Sequence, residues 1–91
     1  MKSIPKPNKR IVDKKFYDAV RQRDGACIWG LLAQDGCKGP LEVHHIVPRG
    51  RGGDDILANG ITLCQRHHGQ AHRHEISQEE LKDAVRQFAW R

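Results

Sequence analysis

The chain has 91 residues and a formal net charge of +5 with neutral histidines. That length allows one compact domain with a small core, and a bound metal is a common staple for such a domain. The positive balance favours a polyanionic partner, nucleic acid ahead of a membrane surface. No apolar run approaches the roughly 20 residues that span a bilayer. Three cysteines, few and odd in number, argue against a disulfide framework.

The six histidines are unevenly placed, with five of them between His44 and His72. Clustered histidine with a few cysteines points to metal binding in a reducing compartment. No hydrophobic segment follows Lys2, so the chain is expected to stay in the cytoplasm.

Residues 1–12 combine Pro5 and Pro7 with Lys2, Lys6, Lys9 and Arg10, and read as a flexible basic arm or an ordinary frayed terminus. Residues 13–91 are then one domain. Asp13 is expected to cap a helix running through Arg23, with Phe16, Tyr17 and Val20 on its apolar face and Asp24-Gly25 as its stop. Cys27 to Pro40 holds three glycines and a proline and reads as a loop or irregular hairpin. Leu41–Val47 is a short strand. Pro48–Asp55 is a glycine-rich, basic surface loop, and Ile61–Leu63 is a second strand. A helix is expected from Gln65 to His72. Ser77 and Glu80 form a capping box ahead of Leu81, Ala84, Val85, Phe88 and Ala89, whose spacing marks a packing helix reaching the C-terminus.

Three sequence groups carry chemistry. On a helix, His68 and His72 are four apart and share a face, a spacing suited to two imidazoles on one divalent cation. His67 points about 100° away and, with Cys64 three residues before it, suits a second site. On a strand, His44 and His45 point to opposite faces, so one can bind metal while the other acts as a base. An imidazole titrates near neutral pH and suits the deprotonation of water.

Val43-His44-His45-Ile46-Val47-Pro48, Gly52-Gly53, Asn59 and Leu63-Cys64-Gln65-Arg66-His67-His68 together resemble the HNH endonuclease family. The resemblance covers about residues 24–74. It implies an α+β fold: a small ββα-metal (His-Me finger) domain, with a structural zinc site and flanking N- and C-terminal helices. It implies His44 and His68 as metal ligands and His45 as general base, with Asn59 orienting the base through backbone bonds. His72 matches a ligand found in only some members and can equally be a solvated helical histidine.

Many members hold a structural zinc with two Cys-x-x-Cys pairs. Here Gly30 stands where the partner of Cys27 would be, and His67 stands where the partner of Cys64 would be. Cys37 can supply the missing thiolate, giving a Cys27, Cys37, Cys64, His67 site. The other reading is a zinc-free domain with buried cysteines. Arg49, Arg51 and Arg66 are candidate phosphate contacts or solvated charge.

The function implied is metal-dependent hydrolysis of DNA, with one catalytic divalent ion (Mg, Mn, Ni or Zn) beside the zinc. The alternative is a non-catalytic zinc module that binds nucleic acid, which would have no use for His45 or Asn59. Small stand-alone members are frequent in phages, so a place in a larger phage or restriction machine is a further expectation.

Overall fold

The computed structural model describes residues 10–89, and most of the expected basic arm lies outside them. Within them are α1 (Phe16–Asp24), α2 (Ile28–Ala33), β1 (Leu41–His45), β2 (Gly60–Cys64), α3 (Gln65–His72) and α4 (Gln78–Ala84). One π-helical turn, Val85–Ala89, follows α4. This is a small α+β fold: a two-stranded antiparallel hairpin packed among helices. No described helix is long and apolar enough to cross a membrane.

The hairpin register pairs His44 with Ile61 and His45 with Gly60. Alternation along the strand therefore sends Glu42 and His44 to one face and Val43 and His45 to the other. On the first face, Ile46, Ile61 and Leu63 join Ile28, Ala71, Ile76, Leu81, Ala84 and Val85 in the main core. On the second face lies α1, which buries Phe16 and Val20. Gly60 makes this packing possible: a Cβ there would sit 2.6 Å from Val20 and 2.8 Å from the Phe16 ring.

Helix α1 is also fastened by a buried ion pair at its end. Arg23 grips the Asp24 carboxylate at 2.7 and 3.2 Å and donates to the carbonyls of Leu57 and Gly60, each at 2.6 Å. Asp24 in turn accepts the Thr62 N–H of β2. A buried charge is tolerated when it is paired and hydrogen-bonded in this way. Gly25, in the left-handed conformation, ends the helix as expected.

Several elements depart from the sequence expectations. Asp13 does not cap α1, which begins at Phe16. Its carboxylate instead accepts the Lys15 N–H and its carbonyl accepts the Phe16 N–H, a turn one step ahead of the helix. The segment from Cys27 to Pro40 is not all loop, because α2 occupies six residues of it. The Cys27 thiol caps this helix by accepting the Gly30 N–H. Gly30 is no helix breaker here; a Cβ at that position would lie 2.5 Å from the Cys37 sulfur. The first strand stops at His45, two residues earlier than expected, because the Val47 backbone pairs with the Asn59 side chain and not with a strand.

Residues 10–12, the end of the expected arm, are tied down. The Ile11 N–H donates to Asp54, the Asp55 N–H donates to the Ile11 carbonyl, and Arg10 pairs with Asp55. The capping box of α4 forms as read, with Ser77 and Glu80 bonding each other's backbone N–H.

The loop after β1 turns tightly through a short 3-10 helix, Arg49–Arg51. Gly53 returns against the strand end, where its N–H bonds the Pro48 carbonyl. A Cβ on Gly53 would collide with the Val47 backbone and lie 2.9 Å from the Pro48 carbonyl oxygen. Gly53→Ala is therefore expected to destabilise the domain by about 1–3 kcal/mol, seen as a lower Tm. Gly50→Ala, a position with open space around it, leaves Tm close to wild type.

Candidate active site and metal centres

Helix α3 lies against the Glu42–His44 face of the hairpin and brings three imidazoles together. Ring centroids are 5.0 Å apart for His44 and His68, 5.3 Å for His44 and His72, and 4.6 Å for His68 and His72. One donor atom from each residue falls within 4.8 Å of the other two. His68 Nδ1 bonds the Glu42 carboxylate at 2.6 Å, which turns Nε2 toward His72 Nε2, 3.1 Å away. Two nitrogens on one tetrahedral zinc sit about 3.3 Å apart, so this spacing fits a shared cation. Burial holds the His44 imidazole down to about 4, helped by repulsion from His68, His72 and His45. His44 is thus neutral at physiological pH, the form in which imidazole binds a metal.

His45, on the opposite strand face, lies among different neighbours. Its ring stacks on Phe16 at 4.5 Å and 24° and meets Tyr17 edge-on at 5.7 Å. Its Nε2 lies 2.8 Å from Asp55 Oδ1. A cavity of about 330 Å³ nevertheless borders both groups; its lining includes His44, His45, His68, His72 and Arg49.

Asn59, buried ahead of β2, works through the backbone. Its Oδ1 accepts the Val47 N–H, and its Nδ2 donates to the carbonyls of Val47 and Asp54. It thereby fastens both ends of the 47–54 loop next to His45.

The second cluster forms where α2, the 34–40 loop and the start of α3 meet. His67 Nδ1 lies 3.2 Å from Cys64 Sγ, 3.3 Å from Cys27 Sγ and 4.0 Å from Cys37 Sγ. In a tetrahedral zinc site the corresponding N···S edge is about 3.6 Å. This Cys3His cluster is consistent with a zinc site. Cys27 and Cys64 each cap a helix, α2 and α3, with their sulfurs accepting backbone N–H groups. Burial alone would raise the Cys64 thiol, but N–H donors from His67 and Lys38 bring it down to about 7. Cys37 goes the other way, pushed up to about 12 by burial and by the neighbouring sulfurs. Three thiolates in one pocket repel one another, and a bound dication relieves that repulsion.

The three arginines separate. Arg49 lines the cavity of the imidazole cluster. Arg51 is exposed in the same 3-10 turn. Arg66 lies at the cysteine cluster, where it donates to Asp35 and to the Gly36 carbonyl.

Sequence reading missed three carboxylates, each bonded to one imidazole. Glu42 bonds His68, Asp55 bonds His45, and Asp35 bonds His67 Nε2 at 3.1 Å. The His67 and Arg66 bonds hold the Asp35 carboxyl below its usual range. Only Glu42 left a usable signal, since it lies two residues before His44 and so on the same strand face.

These features define a compact α+β domain with two side-chain clusters of metal-ligand type on the flanks of one helix. Residues 34–74 match the family model for HNH endonucleases. That stretch is just under half of the chain, and over it the chain is similar to HNH endonucleases. No curated protein and no solved structure matches it. Phe16 and Tyr17, which pack against His45, and Cys27 of the cysteine cluster lie outside the matched stretch.

A carboxylate that grips the second nitrogen of a ligating imidazole fixes its tautomer and raises its basicity. Glu42→Ala is expected to weaken Ni²⁺ binding at the imidazole cluster by about 10- to 100-fold, read by calorimetric titration. The side chain is partly exposed, so the fold is expected to survive the change.

Proposed function

We propose that the chain is a metal-dependent endonuclease that hydrolyses DNA phosphodiester bonds. The observation that carries this reading is the division of labour at one cavity. Three imidazoles converge on one side of β1, and His45, from the other side, borders the same space. His44, His68 and His72 would hold one divalent ion. Bound there, the ion would supply Lewis-acid stabilisation of the phosphate and of the charge developing on the 3′ oxygen.

The remaining work falls to the chain's own residues. His45 takes the proton of the attacking water at its free ring nitrogen, Nδ1. Asn59 keeps the backbone beside it in place through Val47 and Asp54. Arg49, at the cavity wall, offers a guanidinium to the scissile or an adjacent phosphate, with Arg51 one turn further out. Arg66 can reach nucleic acid only on the flank of the Cys3His cluster, where it pairs with Asp35. The net charge of +5 favours DNA as the partner. By family resemblance the products carry 5′-phosphate and 3′-hydroxyl ends.

Cys27, Cys37, Cys64 and His67 hold a structural zinc in this reading, which compensates for a small core. Three imidazoles lean toward Mn²⁺, Ni²⁺ or Zn²⁺ at the other cluster on ligand softness, while cellular abundance favours Mg²⁺.

His45→Ala is expected to lower the nicking of supercoiled plasmid by at least about 100-fold across a panel of these four ions. Its folding and metal content are expected to match wild type. Undiminished nicking would return the protein to the alternative, a zinc module that binds nucleic acid without cutting it. For the second centre, elemental analysis after mild chelation is expected to find about one zinc per chain, and none in Cys37→Ser.

A further inference from the structure

The Asp55 carboxylate joins the base to a part of the chain that lies outside the family-matched stretch. Asp55 is buried. Its Oδ1 receives His45 Nε2 at 2.8 Å and Arg10 Nη2 at 2.9 Å, and its Oδ2 receives the Asp13 N–H at 2.9 Å. Its own N–H is bonded to the Ile11 carbonyl, and the adjacent Asp54 carboxylate accepts the Ile11 N–H. Residues 10–13 thus form a strap that fixes the carboxylate from one side, while the loop pinned by Asn59 fixes it from the other.

We infer that Asp55 is a positioning residue for His45, and that the Arg10–Asp13 strap is what holds Asp55 to that task. This rests on His45 being the general base.

An ionised carboxylate only accepts hydrogen bonds. The Asp13 N–H, followed by His45, keeps the Asp55 carboxyl below its usual range, so it is anionic. Its bond to His45 then requires the hydrogen on Nε2, which leaves the lone pair on Nδ1. The ring is fixed in rotation as well, by the Phe16 stack on its face and Tyr17 at 81° to it. A base that must take a proton from water needs both conditions: the right tautomer and a fixed direction. Arg10 shares Oδ1 and draws off part of its negative charge.

The discriminating variants are Asp55→Asn and Arg10→Ala, made in the full chain. Asparagine has the same shape and keeps an oxygen for the strap, but its amide can donate to Nε2 and so favours the wrong tautomer. Asp55→Asn is expected to lower kcat on plasmid by about 10²- to 10⁴-fold. KM and Ni²⁺ affinity are expected to stay within about twofold, because neither the phosphate contacts nor the metal cluster is touched. Arg10→Ala leaves the Asp55–His45 bond in place and is expected to give a smaller kcat loss with the same KM. Asp55→Glu, which keeps the charge, is expected to recover part of the lost kcat.

A purely structural Asp55 would not set the tautomer, and ¹⁵N NMR of the imidazoles reads it directly. Wild-type His45 is expected as the Nε2–H form above neutral pH, and as a mixture or the Nδ1–H form in Asp55→Asn. An Nδ1–H form in wild type would overturn the inference, whether or not the variants fold. So would an Asp55→Asn protein with kcat within twofold of wild type. If His45→Ala still nicks DNA, the base assignment fails instead, while the tautomer result stands on its own.

Discussion

Strand alternation at two adjacent residues underlies the whole arrangement. Successive side chains on a β-strand point to opposite faces, so His44 and His45 cannot enter the same cluster while β1 stays paired. The pairing is held by the register of His44 with Ile61 and His45 with Gly60. A slip of one residue would exchange the two histidines and turn Ile61 and Leu63 out of the core. Burial of those residues therefore fixes the chemistry as firmly as it fixes the fold. What each face then meets comes from outside the hairpin: α3 with His68 and His72 on one side, α1 with Phe16 on the other.

A second regularity is that each of three key imidazoles has its own carboxylate. Glu42, Asp55 and Asp35 take one ring nitrogen of His68, His45 and His67. The effect is the same in each case: one nitrogen is committed, and the other is left with a defined role. In the proposed function that role is a cation ligand for His68 and His67, and a proton acceptor for His45. Among the described residues His44 has no such partner, and burial, with repulsion from the neighbouring imidazoles, keeps it neutral. The carboxylates come from different places, namely a strand, a glycine-rich loop and the loop after α2. No local sequence rule links them.

The small core explains why the molecule leans on polar staples. One side of the hairpin has a cluster of aliphatic residues, while the other has little beyond Phe16 and Val20. The gaps are closed by the buried Arg23–Asp24 pair, the Asn59 bonds and the cysteine cluster. The same devices hold the candidate site: Asn59 steadies the loop that carries Asp55, and Cys64 starts the helix that carries His68. Stability and site geometry are therefore hard to separate in this chain, because the contacts that fasten the backbone also aim the side chains.

The sequence by itself determined whatever depends on local spacing. The i, i+4 pair His68 and His72, the split of His44 from His45, the capping box at Ser77 and the stop at Gly25 are set by helix and strand geometry alone. Spacing also paired Cys64 with His67, and the resemblance to HNH endonucleases added Cys27 and Cys37 to that group. Tertiary structure decided the rest. Helix α2 exists because the Cys27 thiol caps it and Gly30 makes room for Cys37, a contact that local propensity cannot register. Asp13 lost its capping role to a turn, while its N–H went to Asp55. Arg66 went to Asp35, and the end of the expected basic arm was fastened to the loop beside His45. The bonds of Asp13 to Asp55, Arg66 to Asp35 and Ile11 to Asp54 each join groups more than thirty residues apart in the chain. Periodicity reports which face a residue occupies, and only the folded chain determines what that face touches.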